Sequence, residues 1–247
     1  MLQNYYPINK YKVFVRCFTY NQANYIKDTL FGFSIQKTTF PFICLVMDDA
    51  STDNAQEVMM SWMESECEIK TAENIEIENA YITIVRHRTN SNCLFAFYFL
   101  KENLNKKGGK SSLIYPWRMQ CEYEAICEGD DYWTDETKLQ RQVLFLDENP
   151  DCAMCYTQCN YYYQRDDYME AKPWGGPHES FEQFMAFNTV PTLTALYRVN
   201  VEAQYSSLVR PEKQGWKMGD YPRWIWFSHE YMIKFIPGST GVYRVLP

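Results

Sequence analysis

Two spacings of hydrophobic residues recur along the first 150 positions of the chain. Short runs rich in apolar and β-branched residues predict strands, whereas apolar residues three or four positions apart predict helices. The predicted strands cover residues 11–18, 42–47, 81–86 and 123–127. The predicted helices cover residues 22–35, 54–65, 90–103 and 135–148, and the third is rich in aromatic residues. This alternation predicts a mostly parallel sheet with right-handed crossovers.

The pattern becomes less regular after Pro150. Residues 151–164 predict one or two antiparallel strands, and the predicted loops are residues 106–110 and 172–178. Further predicted elements are helices at 179–187 and 222–233 and strands at 190–199, 233–235 and 241–245. Neither a repeat nor a low-complexity linker divides the chain. We therefore expect a single α/β domain over residues 1–247, with a nucleotide-binding half at about 11–150 and a second half at about 151–247.

Composition excludes several classes of protein. The 247 residues carry a net charge of −7 and no block of five basic residues, which argues against a nucleic-acid partner. No apolar run approaches the length of a membrane span, and the N-terminal residues lack a signal-peptide pattern. The nine cysteines are scattered, which indicates a reducing compartment, so we expect a cytoplasmic protein. Cys152, Cys155 and Cys159 are read as buried thiols, with a zinc site as the alternative.

Carboxylates follow two of the predicted strands. Asp48 and Asp49 follow one, and Glu128, Asp130 and Asp131 follow another. Open α/β sheets bind ligands at the carboxyl ends of their strands, so both groups are expected at one crevice. Carboxylates this close repel one another unless a cation lies among them. Mg²⁺ or Mn²⁺ suits such a site, because these ions share oxygen ligands with a substrate's phosphates.

Structural roles remain open for the same residues. Glu128, Asp130 and Asp131 fit a metal site and a surface turn equally well, and in the second case Asp135 caps the helix that follows the turn. Asp48, Asp49 and Asp53 suit turn formation and capping, and Asn21 suits the cap of the first helix. Neither a GxGxxG motif nor a P-loop is present, so a glycine-rich helix start does not hold a phosphate.

Four segments resemble, in order, the signatures of glycosyltransferase family 2: VFVRCFTYNQANYI, LVMDDASTDN, AICEGDDYWTDETKLQRQVLFL and MGDYPRWIWF. The resemblance runs from about Lys12 to Arg244, and bacterial enzymes that build capsular or other surface polysaccharides are the most similar members. It implies a GT-A fold, in which helices flank a Rossmann-like, mostly parallel mixed sheet. It also implies a nucleotide-sugar donor, usually UDP-linked, a divalent metal, Mn²⁺ or Mg²⁺, and inverting transfer to a glycan or lipid-linked acceptor.

The resemblance assigns roles to individual residues. Asp220 matches the catalytic base, although the start of a helix also suits an N-cap. Glu128-Gly129-Asp130 matches the Asp-x-Asp signature, with Asp130 as metal ligand and Glu128, in place of the commoner aspartate, as a second ligand or a ribose contact. The residues expected to contact the donor are Thr19, Tyr20, Asn21, Asp49, Glu128, Asp130 and Asp131.

Further contacts are expected around the transferred sugar. Tyr132 and Trp133 are candidates for stacking on a sugar, with core packing as the alternative for Trp133. Trp174 is placed in a lid loop, and Thr192 is placed beneath the acceptor by family analogy. Lys101 and Arg118 are candidates for approaching the diphosphate.

Relatives usually continue beyond the point where this sequence ends, with helices that bind the acceptor or the membrane. This sequence stops at Pro247, so acceptor binding and membrane attachment stay open, with peripheral association with the inner membrane as one expectation. Other classes that fit the carboxylates are a sugar-nucleotide nucleotidyltransferase, a metal-free glycoside hydrolase and a non-catalytic sugar-binding relative.

Overall fold

A mixed sheet of eleven strands forms the centre of the protein. The computed structural model describes residues 11–105, 108–216 and 218–247. Its strands are β1 (Val13–Thr19), β2 (Phe42–Asp48), β3 (Glu73–Ile77), β4 (Ala80–Arg86), β5 (Cys93–Leu100), β6 (Tyr123–Ile126), β7 (Tyr132–Trp133), β8 (Cys152–Tyr163), β9 (Tyr168–Met169), β10 (Leu196–Arg198) and β11 (Met232–Val245). They are ordered β3-β4-β5-β2-β1-β6-β10-β8-β11-β7, and β9 pairs with β8. Parallel pairs join β5, β2, β1 and β6, so the expected Rossmann-like mixed sheet is confirmed.

Helices cover both faces of the sheet. They are α1 (Ile26–Ser34), α2 (Ala55–Glu66), α3 (Lys110–Arg118), α4 (Lys138–Glu148), α5 (Phe181–Ala186), α6 (Val199–Val209) and α7 (Tyr221–Glu230). Apolar residues of α1, α2 and α4 pack with Val13 and Val15 of β1. Ile114 and Trp117 of α3 pack with Phe14, which points to the other face. Burial on both faces explains the unbroken apolar run of β2, because such a strand has no solvated side to require alternation.

The predicted helix at residues 90–103 is wrong, because this segment contains β5. All eight residues of β5 are buried between parallel β2 and antiparallel β4. On one face, the ring centroids of Phe95 and Phe97 lie 5.4 Å apart, and those of Phe97 and Phe99 lie 6.3 Å apart. A short apolar run fits a buried strand or a buried helix equally well, and here pairing on both edges decides for the strand.

Other elements also differ from the predictions. The strand expected at 81–86 belongs to an antiparallel hairpin of β3 and β4. Residues 106–107 of the predicted loop at 106–110 lie outside the described residues, and Lys110 begins α3. The strand expected at 190–199 is reduced to β10, and α6 follows it directly. The two short strands predicted near the C-terminus form one irregular strand, β11, which runs parallel to β8.

Within residues 11–105, 108–216 and 218–247, none of the helices combines the length and the apolar character needed to cross a membrane.

Candidate active site

The acidic turn, residues 128–131, follows β6 at the carboxyl edge of the parallel strands. It packs against the end of β1: the Gly129 N–H donates to the Phe18 carbonyl at 3.0 Å, and the Phe18 N–H donates to Glu128 Oε2 at 3.2 Å. A Cβ on Gly129 would lie 2.6 Å from side-chain atoms of Thr19, so this contact needs glycine. The backbone therefore holds the acidic turn beside Thr19, as the shared edge of parallel strands predicts.

Arg244 of β11 fixes the other side of the acidic turn. Its N–H donates to Asp131 Oδ1 at 2.9 Å, and its Nε donates to the Asp130 carbonyl at 2.8 Å. Its Nη2 also pairs with Asp28 of α1 at 2.7 Å. The Thr29 hydroxyl donates to the Asp131 carbonyl at 2.6 Å. The turn is thus positioned by three elements that are distant in sequence.

The three carboxylates of the acidic turn lie in a poorly solvated place. Burial raises the pKa of Glu128 and of Asp130, and it raises the pKa of Asp131 well above its usual range. Mutual repulsion adds to the increase for Glu128 and Asp131, whereas Arg16 and Lys110 partly offset it for Glu128. A bound cation would remove much of this penalty.

One side of the acidic turn lines a cavity of about 810 Å³, here called the Asp49 cavity. Every residue expected to contact the donor lines it except Asn21; the set is Thr19, Tyr20, Asp49, Glu128, Asp130 and Asp131. The Asp49 side chain is 2% exposed and accepts a hydrogen bond from the Leu104 N–H at 2.7 Å. It also pairs with Lys110 Nζ at 2.6 Å.

The other side of the acidic turn lines a second cavity of about 470 Å³, here called the Asp220 cavity. Glu128, Asp131 and Tyr243 line both cavities, so the two spaces adjoin at the acidic turn. Asp220 also lines this cavity, with the expected acceptor residues Trp174 and Thr192.

Asp220 combines both of the roles that its position suggested. Its Oδ1 accepts a hydrogen bond from the Tyr221 N–H at 2.8 Å at the start of α7. Its Oδ2 accepts one from the Thr192 hydroxyl at 2.5 Å. Each oxygen retains a further lone pair, so a helix cap is compatible with accepting a proton from a ligand in the cavity.

Three expected ligand contacts have structural roles instead. Asn21 has a φ of 54°, and its Oδ1 accepts from the Thr52 N–H at 2.7 Å, so it caps the turn before α2 and not α1. Trp133 is 1% exposed and donates from Nε1 to the Leu193 carbonyl at 2.8 Å, so sugar stacking by this ring is wrong. Tyr132 lines neither cavity and packs against the Arg244 guanidinium at 5.1 Å. Asp48 accepts hydrogen bonds from Ser51 and Gln56, as expected of a turn residue.

The basic residues at the Asp49 cavity also differ from the expected ones. Lys101 pairs with Glu76 at 2.6 Å, and Arg118 pairs with Glu124 at 2.9 Å; neither lines this cavity. Lys110 does line it and was missed, because its sequence neighbours Gly108 and Gly109 indicate a loop. The available sign of a helix start was Gly109, a residue type that suits an N-cap, followed by Ile114 and Trp117 at helical spacing.

The cysteines do not form a metal site among the described residues, whereas two carboxylates of the acidic turn share a cavity wall. All nine cysteines are free and buried. In the described part of the chain, no three or more His, Cys, Asp or Glu side chains are arranged to hold a metal by themselves, so the zinc alternative has no support. Glu128 and Asp130 line the same cavity wall and offer only oxygen ligands. This donor set fits Mg²⁺ or Mn²⁺, which are often held by one or two carboxylates together with substrate phosphates.

Comparison with known sequences finds one group of relatives. No family model matches the chain. Over 183 residues it is 30% identical to the uncharacterized protein Rv1520 of Mycobacterium tuberculosis and to Mb1547 of Mycobacterium bovis. The match covers 73% of this chain and 45% of each relative, so the chain spans less than half of their length.

Comparison with solved structures shows the fold. TarS from S. aureus in complex with UDP-GlcNAc matches with a TM-score of 0.60 and 16% identity over 95% of this chain and 58% of TarS. Mannosyltransferase PcManGT from Pyrobaculum calidifontis, in complex with GDP-Man and Mn²⁺, matches with a TM-score of 0.54 and 16% identity over 96% of this chain and 58% of that protein. The chain therefore has the single-domain α/β fold that TarS shares with this mannosyltransferase.

Proposed function

We propose that the protein is a glycosyltransferase that moves a sugar from a nucleotide-sugar donor to a hydroxyl group of a glycan or lipid-linked acceptor. One observation carries this proposal: a single acidic turn lines two adjoining cavities, and the second contains the Asp220 carboxylate. The resemblance to glycosyltransferase family 2 supports it. So do the ligands of structures with the same fold, which include UDP-GlcNAc and GDP-Man with Mn²⁺.

The donor is assigned to the Asp49 cavity, in the half of the chain at about 11–150. Asp49 is placed to accept hydrogen bonds from a nucleobase N–H or a ribose hydroxyl. Tyr20, an exposed ring on the cavity wall, is placed to cover the base. Lys110 brings a positive charge close to the expected diphosphate. UDP is the proposed nucleotide, and the sugar sits where the two cavities adjoin.

Asp130 and Glu128 are the proposed ligands of Mn²⁺ or Mg²⁺. When bound, such an ion stabilises the negative charge that develops on a departing diphosphate. Arg244 and Thr29 donate to backbone carbonyls of the acidic turn, so the backbone that carries the two carboxylates is fixed before any ligand arrives.

The reaction is assigned to Asp220, in the half of the chain at about 151–247. The Thr192 hydroxyl orients the carboxylate by donating to Oδ2. Asp220 accepts the proton of an acceptor hydroxyl, whose oxygen attacks the anomeric carbon from the side opposite the leaving group. The new glycosidic bond forms as the bond to the diphosphate breaks, so the configuration at the anomeric carbon is inverted.

Two exposed apolar residues adjoin the lining of the Asp220 cavity in sequence. Phe187 and Met218, next to the lining residues Asn188 and Gly219, are 59% and 56% exposed. Exposed apolar side chains favour contact with a lipid surface. We therefore propose peripheral association with the cytoplasmic membrane and a role in surface-polysaccharide synthesis.

The test begins with thermal unfolding in the presence of a panel of nucleotide sugars, with and without Mn²⁺, since a bound donor stabilises the folded state. The donor so identified is then used to compare wild type with Asp220→Asn. We expect turnover to fall by about 10²- to 10⁴-fold, because the general base is lost. Donor affinity should be retained, because Asp220 does not line the Asp49 cavity.

Asp53→Asn is the matched control. Asp53 accepts from the Ala55 N–H at the start of α2 and lines neither cavity, so the same chemical change there should leave turnover unaltered. Near-normal turnover of Asp220→Asn would reject Asp220 as the base. Sugar release without any nucleotide requirement would indicate a glycoside hydrolase instead.

A further inference from the structure

Two arginines line the Asp220 cavity together with the proposed base. Arg16 projects from β1, and Arg223 lies one turn after Asp220 in α7. The Arg16 and Arg223 side chains are only 16% and 11% exposed. Because both line the Asp220 cavity, their exposed surface lies in a confined space. The proposed transfer reaction uses neither of them.

The ion pair of Arg223 engages only one part of its guanidinium. Nε lies 2.7 Å from Glu202 Oε2, and the Ser206 hydroxyl donates to Glu202 Oε1. A guanidinium carries five N–H donors in a planar fork. Among the described residues, no hydrogen bond uses the terminal amino groups of Arg223. Because Arg223 lines the Asp220 cavity, these donors are the part of its guanidinium left for a ligand there.

Three neighbouring arginines share two glutamate partners on one side of the Asp220 cavity, whose lining also includes the carboxylates of Glu128, Asp131 and Asp220. Arg118 and Arg16 share Glu124, with Nε to oxygen distances of 2.9 Å and 3.6 Å, and Arg223 pairs with Glu202. Arg16 also lies close enough to Glu128 to lower its pKa, so part of its charge serves the acidic turn. Of the two arginines that line the cavity, Arg223 is therefore the one whose charge is not shared with the acidic turn.

We propose that Arg223, with Arg16 beside it, binds a carboxylate or phosphate group carried by the substrate sugar in the Asp220 cavity. This inference rests on the proposed function and narrows its substrate class to acidic sugars. A planar guanidinium fork matches two oxygens of a carboxylate or phosphate. The charge-assisted pair forms in a confined space, where it is stronger than in water.

The helical spacing of Asp220 and Arg223 sets the geometry of the substrate. Residues three apart lie on one face of a helix, with Cβ atoms about 5–6 Å apart. That separation is comparable to the width of a sugar ring. A sugar ring whose reacting atom lies at Asp220 can therefore extend an acidic substituent on its other side to Arg223. The acid belongs either to the acceptor or to the transferred sugar of the donor.

The alternative is that Arg223 only neutralises Glu202. Replacing Arg223 alone would leave a buried carboxylate unpaired and would destabilise the fold. The double variant Arg223→Gln/Glu202→Gln avoids this problem because it replaces both charges with neutral amides. Arg141→Gln is the matched control for a lost positive charge: Arg141 pairs with Asp135 at 2.6 Å and lines neither cavity.

The experiment measures binding by isothermal titration calorimetry, in which glucose, glucuronate and glucose 6-phosphate are each titrated into the full chain. We expect wild type and Arg141→Gln to bind both acidic sugars at least about tenfold more tightly than glucose, as one charge-assisted pair permits. The double variant should lose this preference. Wild type without the preference, or a double variant that keeps it while remaining folded, would overturn the proposal.

A second arm compares UDP-glucuronate with UDP-glucose in the same proteins. A preference for UDP-glucuronate that the double variant loses assigns the acid to the donor sugar. A preference confined to the free acidic sugars assigns it to the acceptor. UDP binding is measured alongside: its absence in wild type would count against the proposed function, whereas the acidic-sugar titrations decide the role of Arg223 separately.

Discussion

Lys138 is a buried lysine at the start of α4, and we expect its charge to lower the stability of the fold. It has no exposed surface, and its Nζ donates to Gln142 Oε1 at 2.7 Å. The same Nζ lies 4.3 Å from the centre of the Trp133 ring. It forms no ion pair with a carboxylate among the described residues. Burial lowers the pKa of Lys138 from 10.5 to about 7.

The sign of the effect follows from where the proton binds. Because the pKa of Lys138 is lower in the folded protein, the unfolded chain binds this proton more tightly. Lys138 therefore destabilises the fold fully below pH 7, and the effect is relieved as the pH rises from 7 to 10.5. From these two pKa values, the destabilisation is about 4 kcal/mol at pH 7 and about 2 kcal/mol at pH 9.

Lys138→Met removes this pH-dependent contribution. The substitution also leaves Gln142 Oε1 without its donor, which costs about 1–3 kcal/mol at any pH. We therefore expect the variant to be about 1–3 kcal/mol more stable than wild type at pH 7. This advantage should shrink by about 2 kcal/mol between pH 7 and pH 9.

Urea unfolding followed by tryptophan fluorescence, at pH 7, 8 and 9 under reducing conditions, measures the difference. Cysteine thiols of the unfolded chain also titrate in this range, but they are common to both proteins and cancel in the difference between them. Lys37→Met is the control: the Lys37 side chain is 69% exposed, so its stability difference from wild type should not vary with pH. A pH-independent difference for Lys138→Met would refute the reasoning.

Two further substitutions test the packing and the metal site. In Gly32→Ala, the new Cβ would lie 2.8 Å from the backbone N and O of Trp133, so urea unfolding should show a loss of about 1–3 kcal/mol; Gly219→Ala, where no atom lies within 4 Å, should change stability little. Asp130→Ala should abolish the part of the nucleotide-sugar thermal shift that depends on Mn²⁺ and retain the metal-independent part; a full Mn²⁺-dependent shift would contradict the assignment of Asp130.

The pattern of apolar residues correctly predicted the main strands and the helix in the half of the chain that contains the Asp49 cavity. Runs of apolar residues located β1, β2 and β6, and the amphipathic spacing located α4. Because parallel strands end at one edge of the sheet, Thr19, Asp49 and Asp130 could be expected to meet there. They do line one cavity. Asp220 had no such local sign, and only the resemblance to a known family singled it out.

The same local pattern failed where distant contacts decide the outcome. The apolar run of β5 fits a helix as well as a strand until β2 and β4 pair with it. In the sequence, Trp133 fits contact with a ligand as well as core packing. Its hydrogen bond to the Leu193 carbonyl shows that it packs in the core. Lys110 reaches Asp49 only because α3 begins there, after two glycines that suggest a loop.

The amino-acid sequence by itself determined the α/β class, the acidic residues at two strand ends and the reduced state expected of scattered cysteines. These features depend on side-chain chemistry and on spacing along a few neighbouring residues. Only the tertiary structure decided that Arg244 holds the acidic turn and that Asp220 and Arg223 line a cavity with that turn. The contacts of Arg244 with the acidic turn join residues 113 and 114 positions apart, and their formation depends on how whole elements pack.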